Sequence, residues 1–203
     1  MKKLSCLFIL VLVFSIMVQS ACSLEATCST ENGDQTVTVL KVGSLECSVQ
    51  AEGEETIVGT DSLYWSDELA DDERLAVIYA VKRGKVTLRP EPKEKGQVAV
   101  CKSGRIVPVL ALEDGWAKIW YEGHEGYVPE KYLRFVEAGE DYEEATVNRK
   151  QASVYVMKHN ESPVVTRLTK DQTVPVFTYG TTWAEVEVDG CRGYVLLTQL
   201  DMN

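Results

Sequence analysis

Apolar and polar positions alternate along Trp116-Ala117-Lys118-Ile119-Trp120-Tyr121, and they alternate again, 67 residues later, along Trp183-Ala184-Glu185-Val186-Glu187-Val188. A period of two is the signature of a strand with one buried face. Ala117, Ile119 and Tyr121 align with Ala184, Val186 and Val188, all apolar, so these positions point into a core. Trp116, Lys118 and Trp120 point the other way. The strand then turns through Glu122-Gly123-His124-Glu125-Gly126, or Asp189-Gly190-Cys191-Arg192-Gly193, into Tyr127-Val128 or Tyr194-Val195, which predicts a hairpin. Further strands are expected at 79–82, 86–89, 97–101 and 106–112, with counterparts at 145–148, 153–156, 164–168 and 173–179. About five or six short strands in so short a segment make a small barrel.

The match between the copies reaches beyond this strand. Val107-Pro108-Val109 recurs as Val174-Pro175-Val176, and Glu94, Val98 and Leu133 recur as Glu161, Val165 and Leu200. An ungapped comparison of 85–134 with 152–201 gives 12 identities, where average composition gives roughly three. One small module is therefore carried twice. Two units, each with its own core pattern, read as beads on a string rather than as a solenoid, which needs at least about three stacked repeats.

The order of elements in each copy resembles the bacterial SH3 domain. The residues carrying this resemblance are Leu88-Arg89-Pro90-Glu91-Pro92, Val98, Lys102-Ser103-Gly104, Val107-Pro108-Val109, Gly115-Trp116, Gly126-Tyr127-Val128 and Tyr132-Leu133. The second copy keeps Val174-Pro175-Val176, Trp183 and Gly193-Tyr194-Val195. It departs at Val154-Tyr155-Val156, where the Arg is gone, at Asp171 in place of the turn Gly, and at Gln199-Leu200 in place of Tyr-Leu. The resemblance implies an all-β protein with two tandem SH3-like small β-barrels, 79–136 and 145–203. It also implies a role in binding cell-wall peptides.

Between the copies, residues 137–144 contain no basic residue and almost no large apolar one, the composition of a short, acidic, solvated linker. Residues 22–78 match neither copy and read as a spacer or small β-rich region. There Thr36 to Val42 is expected as a strand, 43–60 as turns and a second strand, and Ser66 as the N-cap of a short acidic helix running to about Leu75. A Cys28–Cys47 bridge would close this region.

The first residues change the picture of where the protein works. Lys2-Lys3 precedes an apolar run from Leu7 to Val18, interrupted only by Ser15, and Gln19-Ser20-Ala21-Cys22 supplies small residues for cleavage. That is an export signal, 1–21, and it is short for a membrane span. Ser20-Ala21-Cys22 resembles the end of a bacterial lipobox, although Gln19 replaces its aliphatic residue. Lipidation of Cys22 would leave Cys28, Cys47, Cys101 and Cys191, an even set with three possible pairings. Cys101 stands where the second copy has Leu168, which marks it as a core residue. The expected location is the cell envelope, on the outer face of a bacterial membrane, or the medium.

The formal net charge is −10, and such an acidic excess argues against nucleic acid and other polyanions as partners. His124 and His159 are the only histidines, and no CxxC, HExxH, GxSxG or phosphate-loop pattern is present. Proteins with bacterial SH3 domains often carry a cysteine peptidase as well, but Cys101 and Cys191 lie inside the repeats and 23–78 contains no histidine. No enzyme, cofactor or metal site is expected, and the acidic runs 67–68, 71–73 and 143–144 read as solvated faces. The remaining chemistry is aromatic: Trp116, Trp120, Tyr127 and Tyr132 in the first copy, with Glu187 and Gln199 replacing Trp120 and Tyr132 in the second. Aromatics on an open sheet face hold extended peptides or sugars, and the same residues also build inter-domain contacts. Trp120 discriminates between the two readings. The expected function is non-catalytic binding of a peptidoglycan peptide or wall component. An extracytoplasmic protein–protein scaffold is the alternative, and an envelope hydrolase with a site in 23–78 is the third reading.

Overall fold

The computed structural model describes residues 22–30, 33–65 and 69–203. The expected signal segment 1–21 and Ser66, the expected helix cap, lie outside these residues. The described chain is all-β, with short 3-10 turns and no α-helix. Three units follow one another, each with its own buried cluster.

The N-terminal unit is an antiparallel sheet of β1 (Leu24–Thr30), β2 (Gly33–Val42), β3 (Glu46–Ala51), β4 (Glu54–Gly59) and β5 (Leu63–Tyr64), in the order β4-β3-β2-β1-β5. Its inner face carries Leu24, Ala26, Cys28, Val37, Val39, Cys47 and Val49, all buried. The chain then forms a 3-10 turn at Asp71–Glu73 and goes directly into β6 (Leu75–Ile78). Over the described residues from 69 on, the acidic helix expected there is absent, and Leu75-Ala76-Val77-Ile78 is an unbroken apolar run suited to a strand buried on both faces. Leu75 and Val77 enter the core of the N-terminal sheet, while Ala76 and Ile78 enter that of the first barrel. One strand thus serves two cores.

The first barrel continues with β7 (Lys85–Leu88), β8 (Ala99–Lys102), β9 (Ile106–Glu113), β10 (Trp116–Tyr121), β11 (His124–Pro129) and β12 (Leu133–Val136). Its main sheet runs β11-β10-β9-β6-β12, and the β7-β8 pair joins it through an Arg89–Tyr127 bridge. The strand expected at 79–82 is corrected to 75–78: the N–H and C=O of Ala80 bond to the Ser103 hydroxyl instead of a neighbouring strand. The barrel accordingly begins four residues before 79.

The second unit repeats this plan with β13 (Glu143–Val147), β14 (Gln151–Tyr155), β15 (Val164–Thr169), β16 (Thr173–Tyr179), β17 (Trp183–Val188), β18 (Cys191–Leu196) and β19 (Leu200–Met202) in one sheet. Equivalent pairings are found in both, as with Ala76 opposite Val107 and Ala145 opposite Val174. The ungapped register needs one correction. Val86 pairs with Cys101 and Ala152 with Leu168, so the second copy holds one residue more between these strands. Arg89 is therefore matched by Tyr155, each bridging the tyrosine of the last hairpin. The tightest hairpins turn on pairs with positive φ, Asp114-Gly115, Glu122-Gly123 and Asp189-Gly190, the two-residue geometry that matches strand twist.

The units do not hang as beads on a string. Arg105 and Cys191 form a β-bridge between the barrels, with Arg192 N–H donating to Gly104 O (2.7 Å) and Ile106 N–H to Gly190 O (3.0 Å). Gly190 has no room for a side chain, since a Cβ would lie 2.4 Å from Val42 O of the N-terminal sheet. The stretch 137–144 is no solvated linker either. Gly139 N–H donates to Ser44 O, Ala138 packs on the N-terminal core, and the Glu140 carboxylate pairs with Arg192 at 2.8 Å. The Cys28–Cys47 bridge is also corrected, because both thiols are free. Cys28 lies against Ser62 Oγ and Cys47 against Thr60 Oγ1.

Candidate functional site

The alternation of β10 places its side chains as the sequence indicates: Ala117, Ile119 and Tyr121 are buried in the first barrel, and Trp116, Lys118 and Trp120 face outward. Opposite them on β11 stand Pro129, Tyr127 and Glu125. The outward row has two fates. Trp120 is only 8% exposed: the start of the N-terminal sheet covers it, its indole N–H donates to Cys22 O (2.8 Å), and its ring joins Leu24, Val42 and Ile106. Trp120 therefore does not belong to an open ligand face. A buried ring with its one donor satisfied is an inter-unit contact. Tyr132 is also removed from that face, since its 3-10 turn (Glu130–Tyr132) lays it against the barrel's own core.

Trp116 and Tyr127 remain partly buried rather than closed off. The Arg89 guanidinium lies 5.4 Å from the Trp116 ring centroid, within cation–π range. Arg89 is fixed by backbone bonds to Tyr127 in both directions (2.9 and 2.8 Å) and by its Nη1 donating to Glu94 O. Gly126 permits this approach, because a Cβ there would meet Arg89 O at 2.5 Å. Beside Tyr127, Lys118 Nζ pairs with the Glu125 carboxylate at 2.8 Å. That hydrogen bond raises the Lys118 pKa and lowers that of Glu125. The result is a shallow patch of two aromatic rings with an arginine and a lysine, on a chain of opposite net charge.

The equivalent face of the second barrel is buried at Glu185, Glu187 and Tyr194, while Trp183, like Trp116, is only partly buried. Trp183 meets Tyr155 edge to face at 5.8 Å in the place of Arg89. Tyr194, the counterpart of Tyr127, is 8% exposed, and its hydroxyl accepts a bond from Arg134 Nη1 (2.7 Å). Burial first, opposed by the Arg134 charge, pushes this phenol up to about 12. Glu185 is buried between Arg134 and Arg192, and Phe177 covers the Arg192 guanidinium at 3.6 Å. Burial pushes the Glu185 carboxyl up, but the Arg134 hydrogen bond and charge, then Arg192, outweigh it and hold its pKa below the ordinary value. Glu187 accepts bonds from the Ser44 N–H and hydroxyl.

Nucleophilic chemistry finds little support in the cysteines. Burial raises the pKa of Cys47 and Cys191 and takes Cys101 up to about 12, while Cys22 is raised by its hydrogen bond to Glu125 and then by burial. A raised pKa keeps the thiol protonated and weakly nucleophilic. His159 accepts at Nδ1 from the Glu161 N–H. Among the described residues, no group of three or more His, Cys, Asp or Glu side chains could hold a metal ion.

A larger concavity lies where the sequence shows no motif. A groove of about 860 Å³ separates the outer face of β2–β4 from the second barrel. Leu40 and Ile57 line one wall, Tyr142 and Pro175 the other, and Glu187 and Gly190 the base. The one signal for it in the sequence is Ile57, an apolar residue beside Val58 in Glu54-Glu55-Thr56-Ile57-Val58, so that if Val58 faces the core, alternation turns Ile57 outward.

No family model matches the chain, and no curated protein matches it. Two solved structures from Trichomonas vaginalis, NlpC2 and NlpC1, are similar at 12% identity and a TM-score of 0.29, over 66% of this chain. The match spans 50% and 47% of those chains, so it takes in about half their length, and at that distance it bears on neither fold nor function.

Proposed function

We propose that this is an exported cell-envelope protein whose two barrels are bacterial SH3-like modules. In this reading the first barrel binds a wall peptide, without catalysis, through Arg89, Trp116, Lys118 and Tyr127. The observation that carries it is the difference between equivalent tyrosines: Tyr194 is buried and bonded by the protein's own Arg134, whereas Tyr127 is only partly buried, next to a Trp116 that is also partly buried and has a cation, Arg89, over its ring. A peptide ending in a carboxylate matches this patch, because an arginine pairs with the carboxylate while flat rings take the adjoining apolar atoms. Attachment to the membrane through an acylated Cys22 belongs to the same reading.

Sedimentation of the protein with purified sacculi, with and without their stem peptides, tests it. Trp116→Ala and Arg89→Ala should each weaken binding by about 1–3 kcal/mol, as loss of an anchor residue does, with the melting temperature followed in the same samples. Sedimentation that ignores the stem peptides, or that survives both substitutions, would refute the site. Capture of an envelope protein without sacculi would favour docking, and turnover of muropeptides would make the protein an enzyme. The intact mass of protein from membranes reads the anchor: a diacylated Cys22 is expected, and an unmodified Ala21 terminus would exclude it.

A further inference from the structure

The groove between the N-terminal sheet and the second barrel lies on the far side of the Trp120 contact and shares no residue with the aromatic patch. Its walls are unlike the rest of the surface. Of the eight large hydrophobic residues exposed among the described residues, three line this one groove: Leu40 (42% exposed), Ile57 (66%) and Tyr142 (49%). Apolar side chains left open on two facing walls mark an interaction site more often than scattered ones do. Around them stand the carboxylates of Glu46, Glu55, Glu144 and Asp189, with Glu187 at the base. Lys41 is the only cation lining the groove, and it is already paired with Asp189 at 3.4 Å.

The backbone adds a third feature. β4 is the outermost strand of its sheet, so among the described residues its outer row of N–H and C=O groups has no neighbouring strand. Glu55 and Ile57 of that strand line the groove. An unpaired edge is a template for an extended chain, which main-chain hydrogen bonds align while side chains enter neighbouring pockets. The volume of about 860 Å³ falls within the range of ligand sites.

We infer that this groove docks an extended, basic polypeptide segment of a partner protein, its lysine or arginine side chains meeting Glu46, Glu55 and Glu144 and its apolar side chains covering Ile57, Leu40 and Tyr142. Acidic walls reject acidic and nucleic-acid partners by like-charge repulsion and favour cationic ones, while the apolar contacts supply short-range affinity. This site is independent of the wall-peptide reading of the first barrel.

Probing an array of random octapeptides with the full-length protein tests the inference. Enrichment of peptides that combine Lys or Arg with apolar residues is expected. Glu46→Lys/Glu55→Lys should weaken those peptides about tenfold or more, since two attractions become repulsions. Ile57→Ser, at an exposed position that does not threaten the fold, should weaken them several-fold. A second charge reversal of equal size elsewhere, Glu94→Lys/Glu161→Lys, should leave binding within about twofold, as should Trp116→Ala. Failure to enrich any peptide, enrichment of acidic or uncharged ones, or equal loss in the Glu94/Glu161 variant would each overturn the proposal. The last result would mean that net charge, not the groove, attracts the peptides.

Discussion

Lys118 and Glu185 hold the same place in two copies of one module, as do Trp120 and Glu187, and Tyr127 and Tyr194. The inward positions between them are nearly interchangeable: Ala117 and Ile119 become Ala184 and Val186, all fully buried. The outward positions differ because each barrel turns that face toward different neighbours. In the first barrel the N-terminal sheet covers Trp120 with apolar side chains and leaves Lys118 and Tyr127 near solvent. In the second, Ser44, Arg134 and Arg192 cover Glu185 and Glu187, and polar residues suit these positions because each has a charged or hydrogen-bonding partner. A duplicated fold thus keeps its core and spends its variation on its contacts. The free face of one copy is visible as free because its twin shows what an occupied one looks like.

The first way to test this comparison is to treat the two cores alike. Ile119→Asp and Val186→Asp each place a carboxylate where nothing can pair with it, and each should cost about 5 kcal/mol or more, enough to unfold a marginally stable protein. Because β6 serves two cores and a β-bridge joins the barrels, damage to either should bring down the whole in one thermal transition. Two separate transitions in calorimetry, with one barrel surviving, would show that the units are independent after all.

A smaller but sharper contrast comes from positions 118 and 185. Lys118 and Glu125 form a surface pair with side chains 35% and 32% exposed, and such pairs contribute about 0–1 kcal/mol. Glu185 is 8% exposed in its side chain and bonds both Arg134 and Arg192, the latter 2% exposed. Glu185→Ala strips the buried Arg192 and the partly buried Arg134 of a partner and should cost about 3 kcal/mol or more, against less than about 1 kcal/mol for Lys118→Ala. Denaturant melts of the two variants decide it. Equal costs would mean that the second barrel's face is as wet as the first's and that the closed interface is wrong.

This is also where the sequence stops being legible. Alternation at 116–121 and 183–188 and the glycine turns identify strands, faces and hairpins, because one buried face and a positive φ leave a local mark. Burial of the second face leaves none. Glu185, Glu187 and Arg192 look like solvated residues until Arg134 and Ser44, distant in sequence, are placed against them. The stretch 137–144 misleads in the same way, since it docks through the small side chain of Ala138, the backbone of Gly139 and the single carboxylate of Glu140. β6 left a readable mark that the neighbouring acidic run obscured: four apolar residues without alternation, the pattern of a strand covered on both sides. Of the expected site, Trp116 and Tyr127 stayed open, while Trp120 and Tyr132 were taken into packing that the alternation cannot distinguish from exposure.

The smallest expected effect separates positions 120 and 187 by pH. Burial raises the Glu187 pKa, only partly offset by the Ser44 hydroxyl and N–H and by the Arg192 charge, and Glu140 adds to the rise. The folded protein therefore holds a proton there over a pH range in which the unfolded chain has lost it, so the Glu187 contribution to stability falls as pH climbs from the ordinary carboxylate value through the raised one. Glu185 has the opposite sign, its lowered pKa contributing stability that is lost as pH drops below the ordinary value. Glu187→Gln removes the first dependence and leaves the second. It also keeps a carbonyl acceptor for one Ser44 donor, and the serine hydroxyl can turn to accept from the amide. Urea melts at a series of pH values between 4 and 7 should show the variant gaining on the parent as pH rises, by less than the roughly 1 kcal/mol of one buried hydrogen bond. Trp120→Phe, at the matching position, loses the bond to Cys22 O but no titrating group, so its cost should be the same at every pH. A Glu187→Gln difference that stays flat, or in which the variant loses ground to the parent as pH rises, would show that the carboxylate is solvated and that the N-terminal sheet does not seal the second barrel.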